Sequence, residues 1–176
     1  MRRALLAAAV LAIVAVAVYW FGLRGSSTPS AEAKPTHPVA RIGEGKSVIV
    51  VGDDGRLLGA STGKAQANLP LLPLKQRPKG GRVRGHVLEE VHIVAAAPKA
   101  LRHEIAATGY GETGVDVEFT SGIEIRFGDE REATRKWKAA AAVLADPSVT
   151  LLSYVDVHAP TRPAVGGEEH ELPAAS

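Results

Sequence analysis

Two glycine-rich stretches have the composition of nucleotide-binding loops. Residues 109–114 read Gly-Tyr-Gly-Glu-Thr-Gly, a G-x-G-x-x-G pattern that holds a pyrophosphate when it follows a strand and opens a helix. Here a strand-like alternation follows, so we predict a flexible connector. Residues 59–64 resemble a P-loop that is one residue short, and Ala65 stands where a magnesium-binding hydroxyl is needed. The sequence therefore predicts no cofactor and no nucleotide site.

Histidine and acidic residues could in principle form a metal or acid–base site. His86 and His92 are six positions apart, which is not the helical i, i+4 spacing that places two imidazoles on one metal. Asp53-Asp54 lies in a predicted turn, and residues 168–171 (Glu-Glu-His-Glu) lie in a polar tail. The chain has no cysteine and no G-x-S-x-G serine elbow. We therefore expect no metal site, no catalytic residue and no small-molecule substrate.

Charge gives no sign of nucleic-acid binding. The 176 residues carry a net charge of +2, and Arg2 and Arg3 account for it, so the remainder is balanced. Aromatic residues make up 5%, and no basic run is interleaved with them. We expect no nucleic-acid partner.

A long apolar segment near the N-terminus predicts a membrane anchor. Ala4–Leu23 is twenty residues without a charged side chain. A helix of that length covers roughly 30 Å, the hydrocarbon thickness of a bilayer. A cleaved signal peptide is the alternative, but its apolar region would be shorter. The basic N-terminus favours an inside tail, which makes this a single-pass type II protein of the plasma membrane with its C-terminal domain extracytoplasmic.

The remaining chain is predicted to form a stalk, one domain and a tail. Residues 1–3 are a short cytoplasmic tail, and residues 24–38, rich in Pro and Ser, are a flexible stalk. Residues 39–160 form the folded domain. Residues 161–176 are polar and rich in Pro and Gly, and we expect them to fray.

Within the domain, hydrophobic periodicity predicts strands and helices in a mixed order. Strands are expected at 39–42, 47–51, 56–60, 101–108, 115–119, 123–127 and 151–158. Residues 61–84 contain three prolines and read as a loop. One helix is expected over 87–97, ended by Pro98, and a second is expected after Asp129, the predicted N-cap. The fold class is therefore α+β, with a mainly antiparallel sheet and two helices.

The alternation around residues 115–127 also predicts a hairpin register. A three-residue loop, 120–122, would place all the apolar side chains on one face and would use Gly122 at the left-handed position. The predicted pairs are Phe119 with Ile123, Val117 with Ile125, Val115 with Phe127 and Asp116 with Arg126. One cost of this register is that Glu118 faces Glu124.

Several short strings in the C-terminal half resemble the FtsQ/DivIB family of bacterial cell-division proteins. They are Ile-Glu-Ile-Arg-Phe-Gly at 123–128, Ser-Tyr-Val-Asp-Val at 153–157 and Arg-Pro-Ala-Val at 162–165. Upstream, His-Pro-Val-Ala at 37–40 and residues 51–59 match the family's entry into its β domain. The resemblance implies a non-enzymatic divisome scaffold at the division septum. Its partners would be FtsB-like and FtsL-like membrane proteins, and it would help control septal cell-wall synthesis.

The resemblance also implies a partner strand that adds near the C-terminal strand, and a terminal strand has a free edge suited to such addition. We assign that edge to 154–158. The candidate partner-binding residues are Tyr154, Val155, Asp156, Val157, His158, Arg162, Pro163, Ala164 and Val165. The family usually has a POTRA domain after the anchor, where this chain has only a stalk. The alternative is an unrelated membrane-anchored ligand-binding or envelope-sensing module.

Overall fold

The computed structural model describes residues 36–43, 48–60, 64–72, 74 and 78–167. The predicted anchor (4–23), most of the predicted stalk and the end of the predicted tail lie outside these ranges. Within the described ranges, no helix is long and apolar enough to cross a bilayer.

The described residues form nine strands and four helices. The strands are β1 (Pro38–Ile42), β2 (Ile49–Gly52), β3 (Leu57–Ala60), β4 (Leu71–Leu72), β5 (Ile105–Gly111), β6 (Gly114–Phe119), β7 (Glu124–Gly128), β8 (Tyr154–Asp156) and β9 (Ala164–Gly166). The helices are α1 (Lys64–Ala67), α2 (His86–Ala96), α3 (Lys99–Arg102) and α4 (Ala133–Leu144).

All of these strands join in one sheet with the order β3-β2-β1-β4-β5-β6-β7-β8-β9. β4 pairs parallel with both β1 and β5, and β7 pairs parallel with β8. The other neighbours are antiparallel. The α+β prediction is confirmed in outline, but the sheet is mixed, and two short helices accompany the two that were predicted.

The hairpin of β6 and β7 has the predicted three-residue loop. Gly122 adopts a φ of 87°, in the left-handed region that favours glycine. A bulge shifts the open end, so that Val115 lies opposite Gly128 instead of Phe127. The other pairs are those predicted, namely Phe119 with Ile123, Val117 with Ile125, Asp116 with Arg126 and Glu118 with Glu124.

The N-terminal part of the sheet confirms one prediction and corrects another. β2 and β3 form the predicted hairpin. Residues 61–84 are not all loop, because α1 and β4 lie within them. Leu72 of β4 is fully buried, and Leu71 pairs with both Arg41 and Ala107. A two-residue strand shows no alternation, so only its pairing with distant strands reveals it.

Helix α2 matches its prediction, whereas the segment after it is a helix followed by a strand. Val87, Val91 and Val94 face the core, and Pro98 follows the end of the helix. The strand predicted from residue 101 begins at Ile105, because α3 occupies the first part of that range.

The start of α4 corrects the predicted cap. The residue before the helix is Glu132, with a left-handed φ of 55°, and it makes no side-chain cap. Asp129 instead accepts hydrogen bonds from the Arg131 side chain and, at 2.9 Å, from the Lys136 ammonium. Hydrogen bonds from Arg131 and Lys136 lower the pKa of Asp129 to about 2. Asp129 therefore ties the loop to the helix through Lys136.

Trp137 joins the helices to the sheet. Its ring is fully buried, 5.1 Å from the Phe127 ring and 6.3 Å from the Phe119 ring, centre to centre. Its indole N–H donates to the Ile93 carbonyl of α2 at 2.8 Å. One side chain thus links α4 to α2 and to the β6–β7 hairpin.

Candidate partner-binding site

β8 lies inside the sheet. It pairs parallel with β7 on one side and antiparallel with β9 on the other. The prediction that residues 154–158 form the free edge is therefore wrong. The edge at this end of the sheet is β9, which pairs Gly166 with Tyr154, Val165 with Val155 and Ala164 with Asp156.

The predicted partner-binding residues divide into three groups by position and exposure. Val155 and Val157 are fully buried in the core, as the alternation predicted. Tyr154 and Asp156 are half-buried on the opposite face of the sheet, and His158 is exposed. The remaining residues are all exposed and lie in β9 or directly before it; they are Arg162, Pro163, Ala164 and Val165. The structure thus brings only Arg162, Pro163, Ala164 and Val165 to the edge.

β9 lies in the segment that was expected to fray, and that expectation is wrong for residues 164–166. The chain turns after β8, where the Arg162 N–H donates to the Ala159 carbonyl at 2.9 Å. The Ser153 N–H also donates to the Gly166 carbonyl at 2.8 Å. Three residues are too few for a periodic pattern, so composition alone favoured a loop. The one signal available was the pair Pro160 and Pro163, which bracket a turn.

Side chains from β7 and β8 stack beside this edge, against the backbone of β9. The Arg126 guanidinium lies 3.8 Å from the centre of the Tyr154 ring. Arg126 is itself held by the Glu124 carboxylate, with the Nε and Oε1 atoms 2.6 Å apart. A Cβ at Gly166 would lie 2.6 Å from the Tyr154 hydroxyl, so the ring packs against bare backbone. Tyr154 therefore positions β9 and takes little part in the edge itself.

His158 links the end of β8 to the β5–β6 turn. Its Nδ1 lies 2.8 Å from Asp156 Oδ1, and its Nε2 lies 3.0 Å from the Thr113 carbonyl. Both partners are acceptors, which favours a doubly protonated ring. The Thr113 carbonyl, followed by the Asp156 carboxylate, raises the pKa of His158 against the effect of its burial. The ring also packs on Gly128, where a Cβ would lie 2.4 Å from it.

The glycine-rich motifs have structural positions. Residues 109–114 are not a flexible connector, since they form the end of β5, a tight turn and the start of β6. No helix begins there. In the P-loop-like stretch, residues 61–63 lie outside the described ranges. Residues 59–60 belong to β3.

The histidine and acidic residues lie in separate contacts. His86 packs against the Tyr110 ring, with centroids 5.2 Å apart, and His92 pairs with Glu130. Asp54 accepts hydrogen bonds from Thr36 and from the backbone of Arg56. Among the described residues, no three His, Asp or Glu side chains could hold a metal ion. Residues 168–171 lie outside the described ranges.

An acidic cleft of about 280 Å³ lies on the sheet face opposite the helices. Asp116, Glu118 and Glu124 line it. Burial, and then the nearby Glu124, raise the pKa of Asp116. The other lining residues are two glycines and Thr108, whose hydroxyl donates to the Glu90 carboxylate of α2.

A comparison with protein-family models finds one that is described as "Cell division protein FtsQ/DivIB, C-terminal". It matches residues 40–158, more than half of the chain. No curated protein matches the chain. Among solved structures, the chain is similar to the major extracytoplasmic domain of the trans isomer of the bacterial cell-division protein DivIB from Geobacillus stearothermophilus. It has 19% sequence identity and a TM-score of 0.37, over 51% of this chain and 76% of that chain.

The matched residues extend from β1 through β8 and include the hairpin, both long helices and the strand that supports the edge. The chain therefore belongs to the FtsQ/DivIB family of bacterial cell-division proteins.

Proposed function

We propose that this protein is a non-enzymatic divisome scaffold that binds FtsB-like or FtsL-like partners by strand addition at β9 and helps control septal cell-wall synthesis. Residues 4–23 would anchor it once in the plasma membrane at the septum, with the domain extracytoplasmic. Membership of the family supports this role and replaces the alternative of an unrelated ligand-binding or sensing module.

One observation carries the proposal: β9 has β8 on one side and no neighbouring strand among the described residues on the other. An unpaired strand edge offers a row of backbone donors and acceptors to another chain. Val165 is 48% exposed, so an apolar side chain is also available at this edge. Tyr154 and His158 hold the neighbouring strand in place, so the edge is formed before a partner arrives.

Proline substitutions test strand addition directly. Successive N–H groups of a strand point to opposite sides in the plane of the sheet. The Ser153 carbonyl and the Val157 N–H bond to β7, so Asp156 faces β9, where it pairs with Ala164. Ala164→Pro therefore removes a donor to β8, whereas Val165→Pro removes an outward N–H. Val165→Pro should keep the unfolding temperature and lose co-purification of the FtsB-like partner from full-length protein. Capture of the partner by both variants at the wild-type level would contradict strand addition at β9.

Localisation tests the wider role. A fluorescent fusion of the full chain should concentrate at the septum of dividing cells. Val165→Pro should lose septal recruitment if recruitment depends on β9, whereas the control Ala100→Val, at an exposed position on α3, should retain it. Uniform distribution of the wild-type fusion around the envelope would contradict the divisome assignment.

A further inference from the structure

The segment between β4 and α2 is strongly basic. Residues 75–84 contain five Lys or Arg and no Asp or Glu. Of these, the structure describes Lys79, Arg82 and Arg84, and all three are exposed. Together with Arg56 they are called the basic face. Lys79, Arg82 and Arg84 line an open cleft of about 290 Å³ whose floor is apolar and includes Val83 and Val87.

The basic face is held against the first residues of β3. The Leu57 N–H donates to the Gly81 carbonyl, and the Val83 N–H donates to the Gly55 carbonyl, both at 2.9 Å. Arg56 and Arg82 form an isolated antiparallel bridge between these two stretches. The face is therefore a fixed part of the domain at the β3 end of the sheet.

Its positive charge is only partly neutralised. Asp54 contacts Arg56 at 3.1 Å and Arg82 at 3.4 Å, and those side chains remain 52% and 48% exposed. Lys79 and Arg84 form no ion pair with another described residue. One carboxylate thus serves two of the four cations, and the surface keeps an excess of positive charge.

The chain enters the domain beside this face. Thr36, the first described residue, donates from its hydroxyl to Asp54 at 3.2 Å, the same carboxylate that binds Arg56 and Arg82. Twelve residues, 24–35, separate Thr36 from the predicted anchor. Fully extended, they span at most about 40 Å. In an anchored chain, this tether limits how far the basic face can move from the bilayer surface and leaves it free to reach that surface.

We infer that the basic face docks on anionic lipid headgroups of the membrane that carries the anchor. The inference rests on the proposed anchor at residues 4–23. Exposed cations are attracted to an anionic bilayer, and the attraction falls off within about 8 Å at physiological salt. A tether of at most about 40 Å lets the face reach that range, and the phosphate-bearing surface complements its excess charge.

Docking would also orient the partner edge. β3 and β9 are the two ends of the sheet, eight strand spacings apart. At about 4.8 Å for each spacing, that separation is on the order of 40 Å. A domain that rests on its β3 end presents β9 away from the bilayer, where a strand from another extracytoplasmic domain can reach it.

The chain suits a site-specific test because it has no cysteine. A Cβ at Gly81 meets no atom within 4 Å, so Gly81→Cys places one fluorophore within the basic segment. The labelled full-length protein is reconstituted in nanodiscs that contain a headgroup-linked acceptor dye. Energy transfer should be higher in discs with phosphatidylglycerol than in discs of phosphatidylcholine alone, and high salt should remove the difference.

Two matched double variants distinguish an effect of the basic face from a general effect of positive charge on the domain. Lys79→Ala/Arg84→Ala should lower the docking equilibrium roughly 25-fold, about fivefold for each cation. Lys99→Ala/Lys138→Ala removes the same charge from exposed positions on α3 and α4 and should leave the energy transfer unchanged. Equal losses in both variants, or no effect of anionic lipid, would overturn the inference.

Two further readouts separate the possible failures. Protein that does not remain in the discs on gel filtration would contradict the anchor, which belongs to the proposed function. Protein that remains in the discs but shows no lipid dependence would contradict docking alone. A change caused by soluble polyphosphate, and not by phosphatidylglycerol, would assign the face to a phosphate polymer and overturn membrane docking.

Discussion

The ring of Tyr154 lies directly against the backbone of Gly166, so that a Cβ at residue 166 would stand 2.6 Å from the phenol oxygen. Tyr154 is in β8 and Gly166 is in β9, and the two residues are paired across the strands. The last strand of the sheet therefore depends on glycine at this position for its close approach to β8.

Gly166→Val should weaken β9, because the new side chain must displace the Tyr154 ring. We expect a loss of about 1–3 kcal/mol, typical of overpacking, and faster amide exchange in β9. Ala164→Val is the matched control, since Ala164 lies two positions away on the same face and is exposed. In a double-mutant cycle, Tyr154→Ala should relieve the effect of Gly166→Val, and additive effects would contradict direct contact.

Lys136→Met should destabilise the domain by about 2–3 kcal/mol, because a buried ammonium with three acceptors is lost. Its Nζ donates to the Phe127 and Asp129 carbonyls, at 3.0 and 2.9 Å, and to the Asp129 carboxylate. Lys138→Met, on the exposed side of the same helix, should change the stability by less than about 0.5 kcal/mol. Urea unfolding measures both variants, and equal effects would contradict a specific role for Lys136.

Asp129 should contribute to acid unfolding. Its pKa is about 2 in the fold against an ordinary value of 3.8, so its stabilising effect is present above pH 3.8 and is lost as the pH falls towards 2. Asp129→Asn should therefore reduce stability at neutral pH and flatten the dependence between those two values. If the unfolding temperature of Asp129→Asn fell with acid between pH 3.8 and pH 2 as steeply as that of wild type, Lys136 would stabilise the fold through the two carbonyls alone.

Glu90 is a buried carboxyl on α2, 2% exposed, with the Thr108 hydroxyl as its hydrogen-bond donor. Burial raises its pKa above the ordinary value of 4.5. A raised pKa means that stability is full below pH 4.5 and declines as the pH rises through the folded-state pKa. Glu90→Gln should remove that decline and become more stable than wild type towards neutral pH. Glu118→Gln, on the exposed face, serves as the control in melts from pH 4 to pH 8.

His158 should make the β8–β9 end of the sheet sensitive to pH. The fold raises the pKa of its ring above 6.5, so its stabilising effect is full below pH 6.5 and is lost as the pH rises through the folded-state pKa. Its contacts with Asp156 and Thr113 favour the cation, while Lys136 opposes it and Asp116 lies close enough to interact with it.

Amide exchange in β8 and β9, corrected for intrinsic rates, should therefore be slower at pH 6 than at pH 8. His158→Phe should remove the difference. His103→Gln, an exposed histidine outside this contact, should preserve it. Identical pH dependence in wild type and His158→Phe would show that the Thr113 and Asp156 contacts do not hold this end of the sheet.

Local pattern in the sequence determined the elements that are long enough to show a period. The β6–β7 hairpin, its three-residue loop at Gly122 and the α2 helix were predictable because several apolar residues repeat along one face of each. The family string at 123–128 contains β7, which is an element of this kind.

Tertiary structure alone decided the short strands and therefore which strand forms the edge of the sheet. β4 and β9, with two and three residues, carry no period, and each exists because backbone groups of distant strands pair with it. For the same reason Tyr154 and Val155 lie in an interior strand, and the edge of the sheet is formed by Ala164 and Val165. The placement of Arg56 beside Arg82 is likewise a long-range pairing, which no spacing along the chain could predict.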